Sequence, residues 1–166
     1  HKSLASLDGD LWRLGGRLVL RRGDPRLILP DVAASTGATG VYFNRRYDRE
    51  GSSIDETVAA ELARQGVSVS SHMAWLLFEP GTIRTKTGGT FRVFTPFWKA
   101  HRPHLSPRSA LHRRPDALSF FGGAVASEPL ASLGLHPTRP AWSGGLATCW
   151  TPGEAGAKAR LVAFLD

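Results

Sequence analysis

An α/β fold, a parallel sheet with flanking helices, is what this sequence predicts, and three observations carry that expectation. Apolar runs of strand length alternate with helix-period segments in the order strand, helix, strand, helix, strand over residues 17 to 70. The connections between them are short, and capping residues stand at the junctions. The chain of 166 residues is 42% hydrophobic, enough for one domain with an apolar core. No apolar run approaches the roughly 20 residues a bilayer-spanning helix needs. One cysteine, Cys149, argues against a disulfide framework or a multi-thiolate metal site and fits a reducing, cytoplasmic setting. The 18 Gly and 11 Pro imply that part of the chain is irregular.

Leu4, Leu7, Leu11 and Leu14 recur at three- and four-residue spacing and predict a first amphipathic helix, stopped by Gly15-Gly16. Nothing precedes this helix for it to cover, so the chain is expected to start inside a larger protein. Arg17-Leu18-Val19-Leu20-Arg21 reads as a short buried strand. Asp24 then serves as N-cap with Pro25 at the first helical position, and Leu27, Ile28, Val32 and Ala33 continue a helix to Thr36-Gly37. Pro30 is expected to kink it. Gly40-Val41-Tyr42-Phe43-Asn44 is the second strand. A polar loop leads to Ser53-Ile54-Asp55-Glu56, read as a capping box. Val58, Ala59, Leu62 and Ala63 give the following helix its inner face, and Gly66 closes it. Val67-Ser68-Val69-Ser70 is the third strand.

Beyond residue 75 the alternation weakens. Lys86-Thr87-Gly88-Gly89 marks a turn, and Thr95-Pro96 reads as the cap and first position of a short helix bearing Phe97 and Trp98. Residues 100 to 149 read as a long irregular linker pinned by Phe120, Phe121 and Trp142. From Glu154 to Leu165 the chain is helical again. The expected architecture is thus a Rossmann-like parallel sheet lacking its first strands, then the linker and a short C-terminal helix.

Charge is concentrated. Between residues 80 and 115 stand Arg84, Lys86, Arg92, Lys99, Arg102, Arg108, Arg113 and Arg114 with no acidic residue, so this stretch carries +8 and the remaining residues −1, for the net +7. Such a segment suits a polyanion such as nucleic acid, or a solvated connector.

Arg22-Gly23-Asp24-Pro25, Phe43-Asn44-Arg45-Arg46-Tyr47-Asp48 and above all Val93-Phe94-Thr95-Pro96-Phe97-Trp98-Lys99 resemble the DNA photolyase and cryptochrome family. Trp150-Thr151-Pro152-Gly153-Glu154 is similar to that family's entry into its second domain. The resemblance implies an incomplete α/β antenna domain over residues 1–99, an interdomain linker over 100–149, and the start of a helical FAD-binding domain over 150–166. It implies a deoxyribodipyrimidine photo-lyase, repairing cyclobutane pyrimidine dimers in DNA by electron transfer from reduced FAD. The FAD site and lesion pocket would lie in a C-terminal helical domain outside this chain, leaving no catalytic residue here and a fragment inactive alone. The alternatives are a cryptochrome-type blue-light photoreceptor fragment, or a stand-alone nucleotide- or nucleic-acid-binding α/β module.

What the resemblance leaves to these residues is part of an antenna pocket. Ligands of open parallel sheets sit beyond the carboxyl ends of the strands. Asn44, Arg45, Arg46 and Asp48 are therefore the candidates for binding an antenna chromophore, a deazaflavin, flavin or folate. The family's folate-binding members carry an Asn-Glu pair where this chain has Glu50-Gly51, a departure that counts against folate.

Other candidates take plainer readings. Phe94, Phe97 and Trp98, with Trp142 and Trp150, read as core packing. His101, His104 and His112 lack a neighbouring Cys, Asp or Glu to complete a metal shell, so no metal site is expected. His72 and His136 stand alone. Ser70-Ser71-His72 has no acid beside it and no Gly-rich elbow, which excludes a hydrolase triad. Residues 37 to 40 lack the Gly-x-Gly-x-x-Gly fingerprint of dinucleotide binding.

Overall fold

The structure, a computed structural model, describes residues 1–74, 76–105 and 115–166. Its centre is a pair of parallel strands, β1 (Gly40–Asn44) and β2 (Ser68–His72), in register from Gly40 opposite Ser68 to Asn44 opposite His72. Helices α1 (Lys2–Arg13) and α2 (Pro25–Thr36) precede the sheet, and α3 (Arg49–Arg64) makes the crossover between the strands. Helix α4 (Phe94–His101) follows β2 after a long loop, and α5 (Gly144–Cys149) and α6 (Glu154–Leu165) end the chain.

Caps place these helices. The Asp24 carboxylate accepts the Arg26 N–H at 2.9 Å at the head of α2. Gly37 ends that helix at φ 64°, a left-handed conformation that a Cβ makes costly. At the end of α3 the Val67 N–H reaches the Leu62 carbonyl at 2.9 Å and Gly66 bonds Ala63 at 3.0 Å. This double closure turns the chain directly into β2.

The same closure builds the core. Leu62 is fully buried, and Ala33 of α2, Val58 of α3 and Val67 are buried around it. Val41 and Val69, neighbours across the strands, pack against this cluster with Ala38 and Ile54. Helices α2 and α3 therefore cover one face of the sheet. On the opposite face Tyr42 is 72% exposed, its ring stacked at 6.3 Å on His72.

Several elements differ from expectation. Residues 17–21 form no strand. Their partners are irregular: the Leu20 N–H bonds Ser127 Oγ at 2.9 Å, the Glu128 N–H bonds the Leu20 carbonyl at 2.7 Å, and the Arg22 N–H bonds Glu128 Oε1 at 2.7 Å. A ladder needs a regular neighbour, and here two of these three bonds go to side chains. Helix α2 runs unbroken through Pro30, which is buried. Helix α3 starts before the expected box, because Asp48, not Ser53, supplies the cap. Helix α4 starts at Phe94 without a side-chain cap, leaving Pro96 third in the helix, where its missing N–H costs nothing.

The linker holds more structure than expected: a 3₁₀ turn at Leu130–Leu133 and helix α5. Phe120 does pin it, since a Cβ on Gly16 would stand 2.2 Å from that ring. Phe121 and Trp142 do not, being 53% and 67% exposed. Among the described residues no helix is long and apolar enough to cross a membrane.

Candidate functional site

The carboxyl end of β1 runs into residues 45–48, and each side chain there has a defined place. The Arg45 N–H bonds the His72 carbonyl at 2.9 Å, extending the ladder one residue past β1. Its guanidinium spans the strand end, with Nη1 on Glu79 Oε1 at 2.7 Å and Nη2 on Ser71 Oγ at 3.1 Å. The Tyr47 hydroxyl donates to the same Glu79 oxygen at 3.0 Å. Desolvation, followed by the bond to the carboxylate, raises the Tyr47 pKa above its ordinary value.

Arg46 turns to α3. Its Nη2 and Nε reach Asp55 Oδ1 at 2.5 and 3.0 Å, and its backbone N–H reaches Asp55 Oδ2 at 3.3 Å. The Asp55 hydrogen bond raises the guanidinium pKa further. Asp48 caps α3: its Oδ1 accepts the Gly51 N–H at 2.6 Å. Gly51 is buried under that carboxylate, and a Cβ there would meet Asp48 Oδ2 at 2.5 Å and Arg46 Cβ at 3.0 Å. No side chain fits at residue 51 while Asp48 holds its cap.

Between this strand end and α3 lies a cavity of about 300 Å³. Phe43, Val69 and Ala59 supply its apolar walls, while Arg45, Arg46, Ser52, Asp55, Glu56 and Ser71 supply polar groups. Alternation explains the pairing: Phe43 and Arg45 share one face of the sheet, and Ser71 stands opposite Phe43 in register. Of the four candidates, Arg45 and Arg46 line this cavity; Asp48 is engaged in capping and Asn44 is exposed. Ser52, Asp55, Ser71 and Glu79 escaped sequence reasoning. The signal that finds them is register, which needs the strand pairing in hand.

The remaining candidates fall elsewhere. Phe94 is 71% exposed, and Trp142 and Trp150 are also exposed, so the core-packing reading fails for them. Phe97 and Trp98 are partly open, at 40% and 38%. Arg160 lies over the Trp150 ring at 5.4 Å. Arg84 holds its own loop through the Gly81 and Gly88 carbonyls, whereas Lys86, Arg92, Lys99 and Arg102 are exposed. Arg108, His112, Arg113 and Arg114 lie outside the described residues. Cys149 is exposed. Among the described residues no three His, Cys, Asp or Glu side chains group as metal ligands.

Comparison with known proteins decides the family. The DNA photolyase family model matches residues 1–116. This chain belongs to the DNA photolyase family. It is 41% identical to the deoxyribodipyrimidine photo-lyase of Agrobacterium fabrum over 166 residues, covering all of this chain and 34% of that protein. It is 31% identical to cryptochrome-1 of Arabidopsis thaliana over 167 residues, covering 99% of this chain and 24% of that protein. Among solved structures it is similar to a bacterial class III photolyase from Agrobacterium tumefaciens, with TM-score 0.91 and 42% identity, covering all of this chain and 34% of that one. The chain thus spans about a third of the length of these photolyases. The small parallel sheet with flanking helices is the fold of that family's N-terminal α/β region.

Proposed function

We propose that this chain is the light-harvesting part of a deoxyribodipyrimidine photo-lyase, and that its strand-end cavity receives the antenna chromophore. One observation carries the reading: a cavity of about 300 Å³ at the carboxyl end of a parallel strand pair, where α/β folds bind ligands. Its chemistry fits a planar heterocycle. Phe43, Val69 and Ala59 offer apolar contact, and Ser52, Ser71 and the two arginines offer hydrogen bonds at the rim. Each arginine is already neutralised by a carboxylate, Arg45 by Glu79 and Arg46 by Asp55, so the site favours a weakly charged ring over a polyanion. The volume sits at the lower bound for small-molecule pockets, about 300 Å³, so a ring system enters and its substituents stay outside.

In this reading the antenna, when bound, absorbs light and passes the excitation to a flavin. The chain's own residues bind and orient it. The FAD that reduces the pyrimidine dimer, and the pocket for that dimer, belong to the two thirds of the relatives' length that this chain does not span. Residues 1–99 then form the antenna unit, 100–149 the linker and 150–166 the entry to the helical part. Exposed Lys86, Arg92, Lys99 and Arg102 add attraction for the phosphates of the DNA substrate. A cytoplasmic location belongs to the same reading. Glu50-Gly51 in place of the Asn-Glu pair, with no room for a side chain at Gly51, disfavours folate and leaves deazaflavin and flavin.

The test is equilibrium binding of a deazaflavin, FMN and a reduced folate to the chain, with Ala59→Leu filling the cavity. Deazaflavin or FMN is expected to bind, with a loss of about tenfold or more in Ala59→Leu. Undiminished affinity in that variant places the antenna elsewhere and refutes the assignment.

A further inference from the structure

A second cavity, of about 440 Å³, lies away from the strand ends, between the loop after β2 and helix α4. No residue lines both cavities. Its walls are aromatic, with Phe78, Phe91, Phe97 and Trp98, and Ile83, Thr90 and His101 also line it. Among the described residues no charged side chain lines it.

His101 is the buried polar group of this cluster, only 7% exposed, and Thr90 adds an exposed hydroxyl. Its ring is packed by Phe97 at 3.9 Å, Phe78 at 5.2 Å and Phe91 at 6.0 Å between centroids. Nδ1 lies 2.8 Å from the Phe97 carbonyl oxygen. A carbonyl only accepts, so Nδ1 carries a proton in this contact, which leaves Nε2 as the ring nitrogen able to accept. Among the described residues the ring makes no second hydrogen bond, and no buried polar side-chain atom is left without a partner. Nε2 therefore opens onto the cavity that His101 lines.

A filled core would close these walls, yet Phe97 and Trp98 keep 40% and 38% of their surface. Aromatic faces at an open slot, one buried imidazole and no charged side chain among the described lining residues select a specific ligand chemistry. We propose that this cavity binds an uncharged, planar heteroaromatic ring bearing an N–H donor. The ring lies against Phe97 and Trp98, and its N–H donates to His101 Nε2. The volume lies within the range of small-molecule sites, about 300–1,000 Å³. Stacking on aromatic side chains supplies affinity, and the buried imidazole fixes which edge of the ring points inward.

Lumichrome, a neutral tricyclic ring with ring N–H groups, is the probe. Titrated into the full chain and followed by its fluorescence, it is expected to bind saturably. Its N-methylated form, which lacks those donors, should bind about tenfold more weakly, the loss of one buried hydrogen bond. Ile83→Trp, which fills the slot from the loop, should abolish binding while far-UV circular dichroism stays unchanged. His101→Phe, keeping the ring and losing the acceptor, should bind both forms equally. The proposal is overturned if lumichrome does not saturate up to its solubility limit, or if methylation leaves its affinity unchanged. It is equally overturned if Ile83→Trp leaves lumichrome binding unchanged.

Discussion

Replacing Gly51 by alanine is expected to destabilise the chain, and the same change is expected to become neutral or stabilising once Asp48 is removed. The geometry sets the sign. A Cβ at residue 51 falls 2.5 Å from Asp48 Oδ2 and 2.9 Å from Oδ1, so the carboxylate must leave the Gly51 N–H it now caps at 2.6 Å. Losing an aspartate N-cap costs about 1 kcal/mol, and crowding a packed site typically costs about 1–3 kcal/mol. Against this, alanine is a better helix former than glycine by about 1 kcal/mol. The single substitution therefore loses about 1–3 kcal/mol. In an Asp48→Ala background the cap is already gone and the clash with it. Arg46 Cβ, at 3.0 Å, then needs only a small shift, and the helix-propensity gain remains. The coupling between the two positions should reach about 2 kcal/mol, read from urea unfolding of all four chains by circular dichroism. Additivity within about 0.5 kcal/mol would refute the claim that Asp48 and Gly51 form one capping unit.

Leu62→Ala, at a core side chain with no exposed surface, should cost about 3–5 kcal/mol in the same urea assay; a loss under about 1 kcal/mol would show that α3 is not packed as described. Gly37→Ala should cost about 1–2 kcal/mol because of the φ of 64° that ends α2, and Gly37→Asn should cost less. The Arg26 guanidinium, and then its backbone N–H, hold the Asp24 carboxyl below its ordinary 3.8. A depressed carboxylate stabilises above its unfolded value and loses that contribution as pH falls through the folded one. Asp24→Asn keeps a capping side chain but no charge, so its stability deficit at neutral pH should shrink as pH drops below 3.8; a deficit constant with pH would remove Arg26 from the account.

Local chemistry made much of this fold legible. Asp24-Pro25 and Gly37 bracket α2, Gly40 to Asn44 is strand β1 residue for residue, and Val58 and Leu62 mark the buried face of α3. Each rests on interactions within a few residues, which a linear reading captures. Failures came where two remote segments compete for the same groups. Residues 17–21 have a strand's composition, yet their hydrogen bonds go to Ser127 and Glu128, more than a hundred residues on. Ser53 to Glu56 has the form of a capping box, yet Asp48 takes the cap and Asp55 is drawn to Arg46.

Helix α2 with both its ends, the parallel pairing of β1 with β2 and the membership of the DNA photolyase family were present in the linear chain, because caps, periodicity and short motifs act over a few residues. Which arginine meets which carboxylate, the room denied at Gly51, and the two cavities were not. Those depend on strand register and on how α3 and α4 lie against segments distant in sequence. Such placement is decided by packing, where a shift of one residue sends every side chain to the other face.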